Sequence, residues 1–265
     1  MNTALKITSG QATLNVRIDG EPGLPWAILS NSLASDLTMW DDQMAALTKL
    51  RRVVRYDTRG HGASSPAPGL YDFPMLTGDV IAILDHLEIA AADVLGLSLG
   101  GMTALGLGLD HPARVRKLIC CDARASFPAP AIAAWDDRIK AVTAGGMAAV
   151  VEETLPRWFT EAGRRDRPDL AARARAMMLA TSVAGYCSCA AALKTLNYFN
   201  RLPAMTRPTL YICGDADPGS PPDAMREMAA ATPGAGFALI PNAAHIANME
   251  NVPEFNRVVC GFLQG

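Results

Sequence analysis

"ADVLGLSLGGMTALGLGLD", residues 92–110, changes character in its middle. Ala92 to Leu97 is a continuous apolar run, as expected of a strand whose sheet is covered on both faces. From Leu99 to Asp110 the pattern is that of an apolar, glycine-containing helix. Between the two stands Ser98, with Gly96 before it and Gly100 and Gly101 after it. Strand, sharp turn and helix in this order lift the serine hydroxyl above the edge of a sheet. Small residues on either side let the strand and the helix approach each other. The helix start behind the serine offers unpaired N–H groups and the positive end of a dipole to a developing oxyanion. Ser98 is therefore read as a nucleophile. The bland alternative is a glycine-rich turn carrying an inert hydroxyl.

A serine is a poor nucleophile at neutral pH and needs a base. The chain has four histidines. His245, in "LIPNAAHIANMENVPEF", follows the last strand-like segment and precedes the last helix-like one, so its loop lies at the sheet edge that carries Ser98. His61, in "RYDTRGHGASSP", is expected to organise its own glycine-rich loop. His86 on an amphipathic helix and His111 before Pro112 read as solvated or capping residues. The base in turn needs a carboxylate to fix its tautomer. "YICGDADPGSPPD" offers Asp215 and Asp217, and Asp122 follows an earlier strand. Ser98, Asp217 and His245 fall in the serine–acid–histidine order that goes with a strand–turn–helix serine; Asp217 is preferred, with Asp215 as its competitor and Asp122 third. An oxyanion hole would take one donor from the N–H of Leu99. A second would come from the N–H of Leu33, in the loop "LSNSLASDLTMW".

Strand-like and helix-like segments alternate through most of the 265 residues, which predicts an α/β fold with a mostly parallel sheet. Eight strands are expected, near 3–8, 13–18, 26–30, 52–57, 92–97, 115–121, 208–213 and 236–240. Helices are expected near 40–49, 75–88, 99–110, 221–232 and 252–263. Residues 128–203 break the alternation: the stretch is alanine-rich and helical in pattern, with no strand evident. It reads as a helical cap inserted into a core made of residues 1–127 and 204–265. The formal net charge of −2 gives no electrostatic case for binding nucleic acid or an anionic membrane surface. No apolar run reaches the length of a membrane span, and the N-terminus lacks the pattern of a signal peptide. A cytoplasmic location is expected on that ground. The six cysteines lack metal-type or redox spacing and read as reduced core residues; Cys187 and Cys189, two apart on a helix, would face different ways.

The chain resembles the α/β-hydrolases, and within them the 3-oxoadipate enol-lactonases of aromatic catabolism. The resemblance rests on "LSNSLASDLTMWDDQ", "VVRYDTRGHGASSPAPGLY", "GLSLGGM", "HPARVRKLI", "RWFT", "GYCSCAAAL", "PTLYICGDADPGSPP" and "AAHIANMEN". These stretches run from about residue 26 to the C-terminus. "GLSLGGM" and the three candidate catalytic residues mark only the superfamily; "LSNSLASDLTMWDDQ", "RWFT" and "GYCSCAAAL" are far more specific to the lactonase-like group. The resemblance implies an eight-stranded α/β-hydrolase core with a helical cap. It also implies hydrolysis of a small, carboxylate-bearing enol-lactone without metal or organic cofactor. Ser98, Asp217 and His245 would be the triad, and Leu33 and Leu99 the oxyanion donors. Trp135 and Arg138, in "WDDRI", match the family's tryptophan and arginine at the cap entrance and would contact substrate. Arg138 is the first candidate for the substrate carboxylate; Arg157 and Lys194 read rather as solvated helix charges.

Two departures stand out. Asn31-Ser32 replaces a His-Gly pair usual in related hydrolases, which backbone donors tolerate. After "GYCSCAAAL" the chain runs "KTLNYFNRL", more aromatic and less acidic than the family pattern, and segment 194–199 is expected to reshape the substrate pocket. Other small esters or lactones, with perhydrolysis as a side activity, form the second reading. Dehalogenation is disfavoured because that chemistry on this fold takes aspartate at the position of Ser98. A ligand-binding receptor is disfavoured by the complete serine, acid and histidine set. The expected partner is a small, anionic substrate, in a monomer or a homo-oligomer.

Overall fold

The computed structural model describes residues 3–265. Its sheet is built from β1 (Thr3–Ser9), β2 (Ala12–Asp19), β3 (Trp26–Ser30), β4 (Arg52–Tyr56), β5 (Ala92–Leu97), β6 (Val115–Cys121), β7 (Thr209–Gly214) and β8 (Gly236–Ile240). Their order across the sheet is β1-β2-β4-β3-β5-β6-β7-β8. β1 and β2 form an antiparallel hairpin, and β2 runs antiparallel to β4. Every later pairing, from β4–β3 to β7–β8, is parallel. β5 and β7 are buried along their whole length, as central strands with both faces covered must be.

The crossover helices are α1 (Asp41–Leu47), α2 (Phe73–His86), α3 (Leu99–Asp110), and, after the insertion, α9 (Pro222–Ala231), α10 (Ala247–Glu250) and α11 (Val252–Gln264). α2 starts two residues before the expected position. Asp72 accepts the N–H of Met75 at 2.8 Å and Pro74 stands in the first turn, so the cap lies upstream of the apolar pattern that marks the helix interior. α10, a single turn, was not expected.

The insertion between β6 and β7 holds α4 (Ala129–Gly145), α5 (Ala148–Trp158), α6 (Glu161–Asp166), α7 (Pro168–Ala180) and α8 (Val183–Lys194). It seats on the core through a backbone contact. Ser182 N and Oγ both donate to the Gly60 carbonyl, at 3.1 and 2.9 Å. A Cβ on Gly185 would lie 2.5 Å from the Gly60 Cα, so only glycine permits the approach. The Gly60 loop is held below by Arg59, which makes a two-pronged buried pair with Asp79. No single helix among the described residues is long and apolar enough to cross a membrane.

With parallel order, the C-terminal ends of β3, β5, β6, β7 and β8 share one edge. The loops carrying Leu33, Ser98, Asp122, Asp217 and His245 therefore converge below the inserted helices. That edge is where open parallel sheets place their ligands.

Candidate active site

Ser98 joins β5 to α3 with φ 56° and ψ −115°. The turn is as tight as the sequence requires. A Cβ on Gly96 would come within 2.0 Å of the Gly100 carbonyl oxygen, and one on Gly100 within 2.1 Å of the Ser30 oxygen. The Ser98 N–H donates to the Cys121 carbonyl at 2.9 Å, fixing the turn to the neighbouring strand.

Ser98 Oγ lies 2.9 Å from His245 Nε2, and His245 Nδ1 lies 2.8 Å from Asp217 Oδ2. Asp217 Oδ1 accepts the Gly219 N–H at 2.7 Å. Burial would raise the Asp217 pKa. The His245 ring and the N–H groups of Ser220 and Gly219 outweigh it, so the carboxyl is held below its usual range and stays ionised. The chain of contacts can take a proton from the hydroxyl to the imidazole while the carboxylate faces the resulting cation.

The competing acids stand elsewhere. Asp215 is exposed and accepts the N–H groups of Asn242 and Ala243 at 3.0 and 3.2 Å, tying the β7 loop to the β8 loop. Asp122 is fully buried and accepts the Gly214 N–H at 2.8 Å. His61 is fully buried, with Nδ1 3.1 Å from the Arg59 carbonyl; burial pushes its pKa down to about 4. It organises its loop, far from Ser98 in role. His86 is exposed, and the His111 N–H closes the end of α3.

The His245 loop is also held from above. Ile246 N–H donates to the Trp158 carbonyl at 3.1 Å. Glu250 Oε1 accepts the N–H and the hydroxyl of Thr160 at 2.8 and 2.6 Å, while its Oε2 accepts the Ala244 N–H at 2.7 Å. Sequence reasoning missed Glu250, which has no motif of its own.

Leu33 lines the cavity above Ser98, and its N–H has no acceptor among the described residues. Leu99 heads α3, where an N–H has no carbonyl four residues earlier in the helix. Asn31 sets the Leu33 loop: its side chain donates to the Tyr56 carbonyl at 2.7 Å and accepts from Trp40 Nε1 at 2.9 Å. The residue that departs from the usual pair therefore has a structural duty.

The cavity has a volume of about 220 Å³ and lies between the core loops and the inserted helices. Three arginines line it, Arg124, Arg138 and Arg157, and no aspartate or glutamate does. Arg138 donates to the Tyr186 hydroxyl at 3.1 Å and to Thr154 Oγ1 at 2.5 Å, with Trp135 beside it, its ring centroid 5.8 Å from the guanidinium carbon. Its partners are neutral, so its charge is unspent. Arg124 donates to the Gly219 carbonyl at 2.6 Å. Burial and the nearby Arg157 lower its pKa, against the pull of Asp217. Arg157, expected to be solvated, lines the cavity as well as being exposed. Arg124 was missed, although it follows β6 directly at the ligand-binding edge.

Lys194, read as a helix charge, stays off the cavity and pairs with Asp136. The expectation for the segment that it opens is corrected. Segment 194–199 does not line the cavity either. It turns back to the core, where the Tyr198 N–H donates to the Ala125 carbonyl at 2.7 Å and the ring packs 5.7 Å from Phe73. Tyr198 fills the core rather than the pocket, and Phe199 is exposed.

All six cysteines are free thiols. Among the described residues, one group has metal-binding proximity: Asp122, Cys213 and Asp217. Burial pushes the Cys213 thiol far up, and the thiol donates to the Ser220 and Gly214 carbonyls at 3.1 and 3.2 Å. A neutral thiol already bonded to carbonyls is a poor ligand.

The model of the alpha/beta hydrolase fold family matches residues 25–252. The chain belongs to the α/β-hydrolase family. This α/β-hydrolase is 34% identical over 262 residues to 3-oxoadipate enol-lactonase 1 of Acinetobacter baylyi, covering 98% of this chain and 97% of that one. Its fold superposes on the crystal structure of the enol-lactonase from Burkholderia xenovorans LB400 with a TM-score of 0.95 and 37% identity, over 98% of this chain and 100% of the other. A malate-bound thermophilic esterase from Thermogutta terrifontis matches with a TM-score of 0.92 and 29% identity, over 99% and 98% of the two chains. The eight-stranded, mostly parallel sheet with flanking helices is the fold expected from the sequence.

Proposed function

We propose that this protein is a serine hydrolase that opens a small, carboxylate-bearing enol-lactone through an acyl-enzyme on Ser98. One observation carries the reading. The Ser98–His245–Asp217 chain of hydrogen bonds lies under a cavity lined by three arginines and no acid. His245 takes the Ser98 proton as Oγ attacks the lactone carbonyl. The N–H groups of Leu33 and Leu99 receive the oxyanion. The C–O bond to the ring oxygen breaks, and the enol leaves with the proton from His245 and tautomerises to a ketone. Water then attacks the acyl-enzyme, giving its proton to His245, and the acid is released as Ser98 recovers its proton. Arg138, presented by Tyr186 and Thr154 over Trp135, takes the substrate carboxylate. Residues 128–203 act as the cap, residues 1–127 and 204–265 as the core, and no metal or organic cofactor enters a step. Six free thiols suit a reducing, cytoplasmic setting.

The test is kcat/KM for 3-oxoadipate enol-lactone, followed by loss of its ultraviolet absorbance, beside p-nitrophenyl acetate, with Ser98→Ala as control. Preference for the anionic lactone supports the reading, and undiminished turnover by Ser98→Ala ends it. Ester turnover with an inert lactone would favour the second reading, a small-ester hydrolase, to which the likeness to a thermophilic esterase lends support.

A further inference from the structure

Asp122 has no part in the reaction just described, yet its placement is costly. It is a non-glycine residue at φ 46°, fully buried, at the end of β6. Its N–H donates to the Ile212 carbonyl and its Oδ1 accepts the Gly214 N–H, both at 2.8 Å. These bonds leave Oδ2 buried with no donor among the described residues. A carboxyl oxygen of Asp122, one of Asp217 and the Cys213 sulfur lie within 4.8 Å of one another. Two buried carboxyl groups this close do not both ionise. Asp217 is the one solvated by N–H groups and by His245, so the shared region needs a proton on Asp122. With that proton, Oδ2 can act as a donor toward Asp217.

We propose that Asp122 is a positioning residue, a neutral carboxylic acid that donates a hydrogen bond to Asp217 and keeps that carboxylate aimed at His245 Nδ1. The surroundings agree. Cys120, Cys121 and Cys213 face Asp122 as neutral thiols, and Glu250 adds a further negative charge. No cation pairs with Asp122 among the described residues. On its other side Asp217 meets His245, and Arg124 acts on it from farther off. Burial and the Asp217 charge both raise the Asp122 pKa. The proposal rests on the hydrolase reading only in that it assigns Asp217 to His245.

Asp122→Asn and Asp122→Ala separate the alternatives. Asparagine tolerates the same backbone region, accepts the Gly214 N–H and donates toward Asp217 through its amide. With p-nitrophenyl acetate as probe, Asp122→Asn should keep kcat within about threefold of the parent. Asp122→Ala should lose about 10–100-fold in kcat with KM unchanged, the scale of a misplaced catalytic group. The acid limb of the pH–kcat/KM profile is decisive. A neutral Asp122 leaves it in place in Asp122→Asn, whereas removing a charge would move it down by about one pH unit. The far-downfield proton resonance of His245 Nδ1–H gives an answer independent of turnover, and of whether Asp122→Ala folds. It should persist in Asp122→Asn at the same shift. A displaced acid limb or resonance in Asp122→Asn, or a fully active Asp122→Ala, would overturn the proposal. Inactivity of the parent toward the ester would count against the hydrolase reading alone, since the resonance would still report on Asp122.

Discussion

Ser98 occupies a backbone region, φ 56° and ψ −115°, that costs a side-chain-bearing residue on the order of 1–3 kcal/mol. Stability and reactivity therefore oppose each other at one residue. Ser98→Gly should abolish turnover yet raise the melting temperature, while Ser98→Ala should lower turnover by at least ~10⁴-fold without that gain. Calorimetry beside a rate assay checks both. His61 supplies a pH signature. Its pKa is about 4 in the folded chain against an ordinary value of 6.5. Between these values the unfolded chain binds a proton that the folded one refuses. Stability therefore falls as pH drops from 6.5 to 4, by roughly 3 kcal/mol in total. His61→Asn should flatten the dependence of melting temperature on pH in that window. At this scale the sequence was informative where strain or chain order constrains chemistry: Ser98 between glycines, and an acid in the loop after β7 ahead of His245 in the chain. It was silent on Arg124 and Glu250, whose partners Gly219 and Thr160 lie 95 and 90 residues away in the chain and leave no local pattern; it offered Asp122 only as an alternative acid for the histidine.

At the level of elements, the seat of the insertion is a glycine pair. A Cβ on Gly185 would meet the Gly60 Cα and carbonyl oxygen, each at 2.5 Å, and both are backbone atoms that cannot rotate away. Gly185→Ala should destabilise the protein by about 1–3 kcal/mol and raise KM as α8 shifts. Thermal denaturation and steady-state kinetics test this. Strands were legible because apolar runs and their breaks are set by burial within the run itself. Helix starts were less so: α2 begins where Asp72 and Pro74 place it, ahead of its apolar stripe. Segment 194–199 misled because a gain in aromatic residues says that something is filled, not which cavity. Tyr198 fills the space beside Gly106, where even a Cβ would stand 2.7 Å from its hydroxyl.

The whole molecule carries a formal charge of −2, yet its cavity is lined by three arginines and no acid. Overall charge could not reveal this local concentration. Arg138→Gln should raise KM for the anionic lactone by about 10–100-fold and leave p-nitrophenyl acetate unaffected. Added salt should slow only the anionic substrate. Parallel initial-rate series on both substrates measure each effect.

The bridge from Thr160 through Glu250 to the Ala244 N–H joins the insertion to the loop that carries the general-base candidate. The insertion is thus not an interchangeable part. A chimera that took residues 128–203 from a distant relative would sever two anchors of the His245 loop unless Thr160 and the Trp158 carbonyl had counterparts in the graft. Single replacements on the cavity-facing sides of α4 and α5 leave both anchors in place, which an exchange of the whole insertion does not.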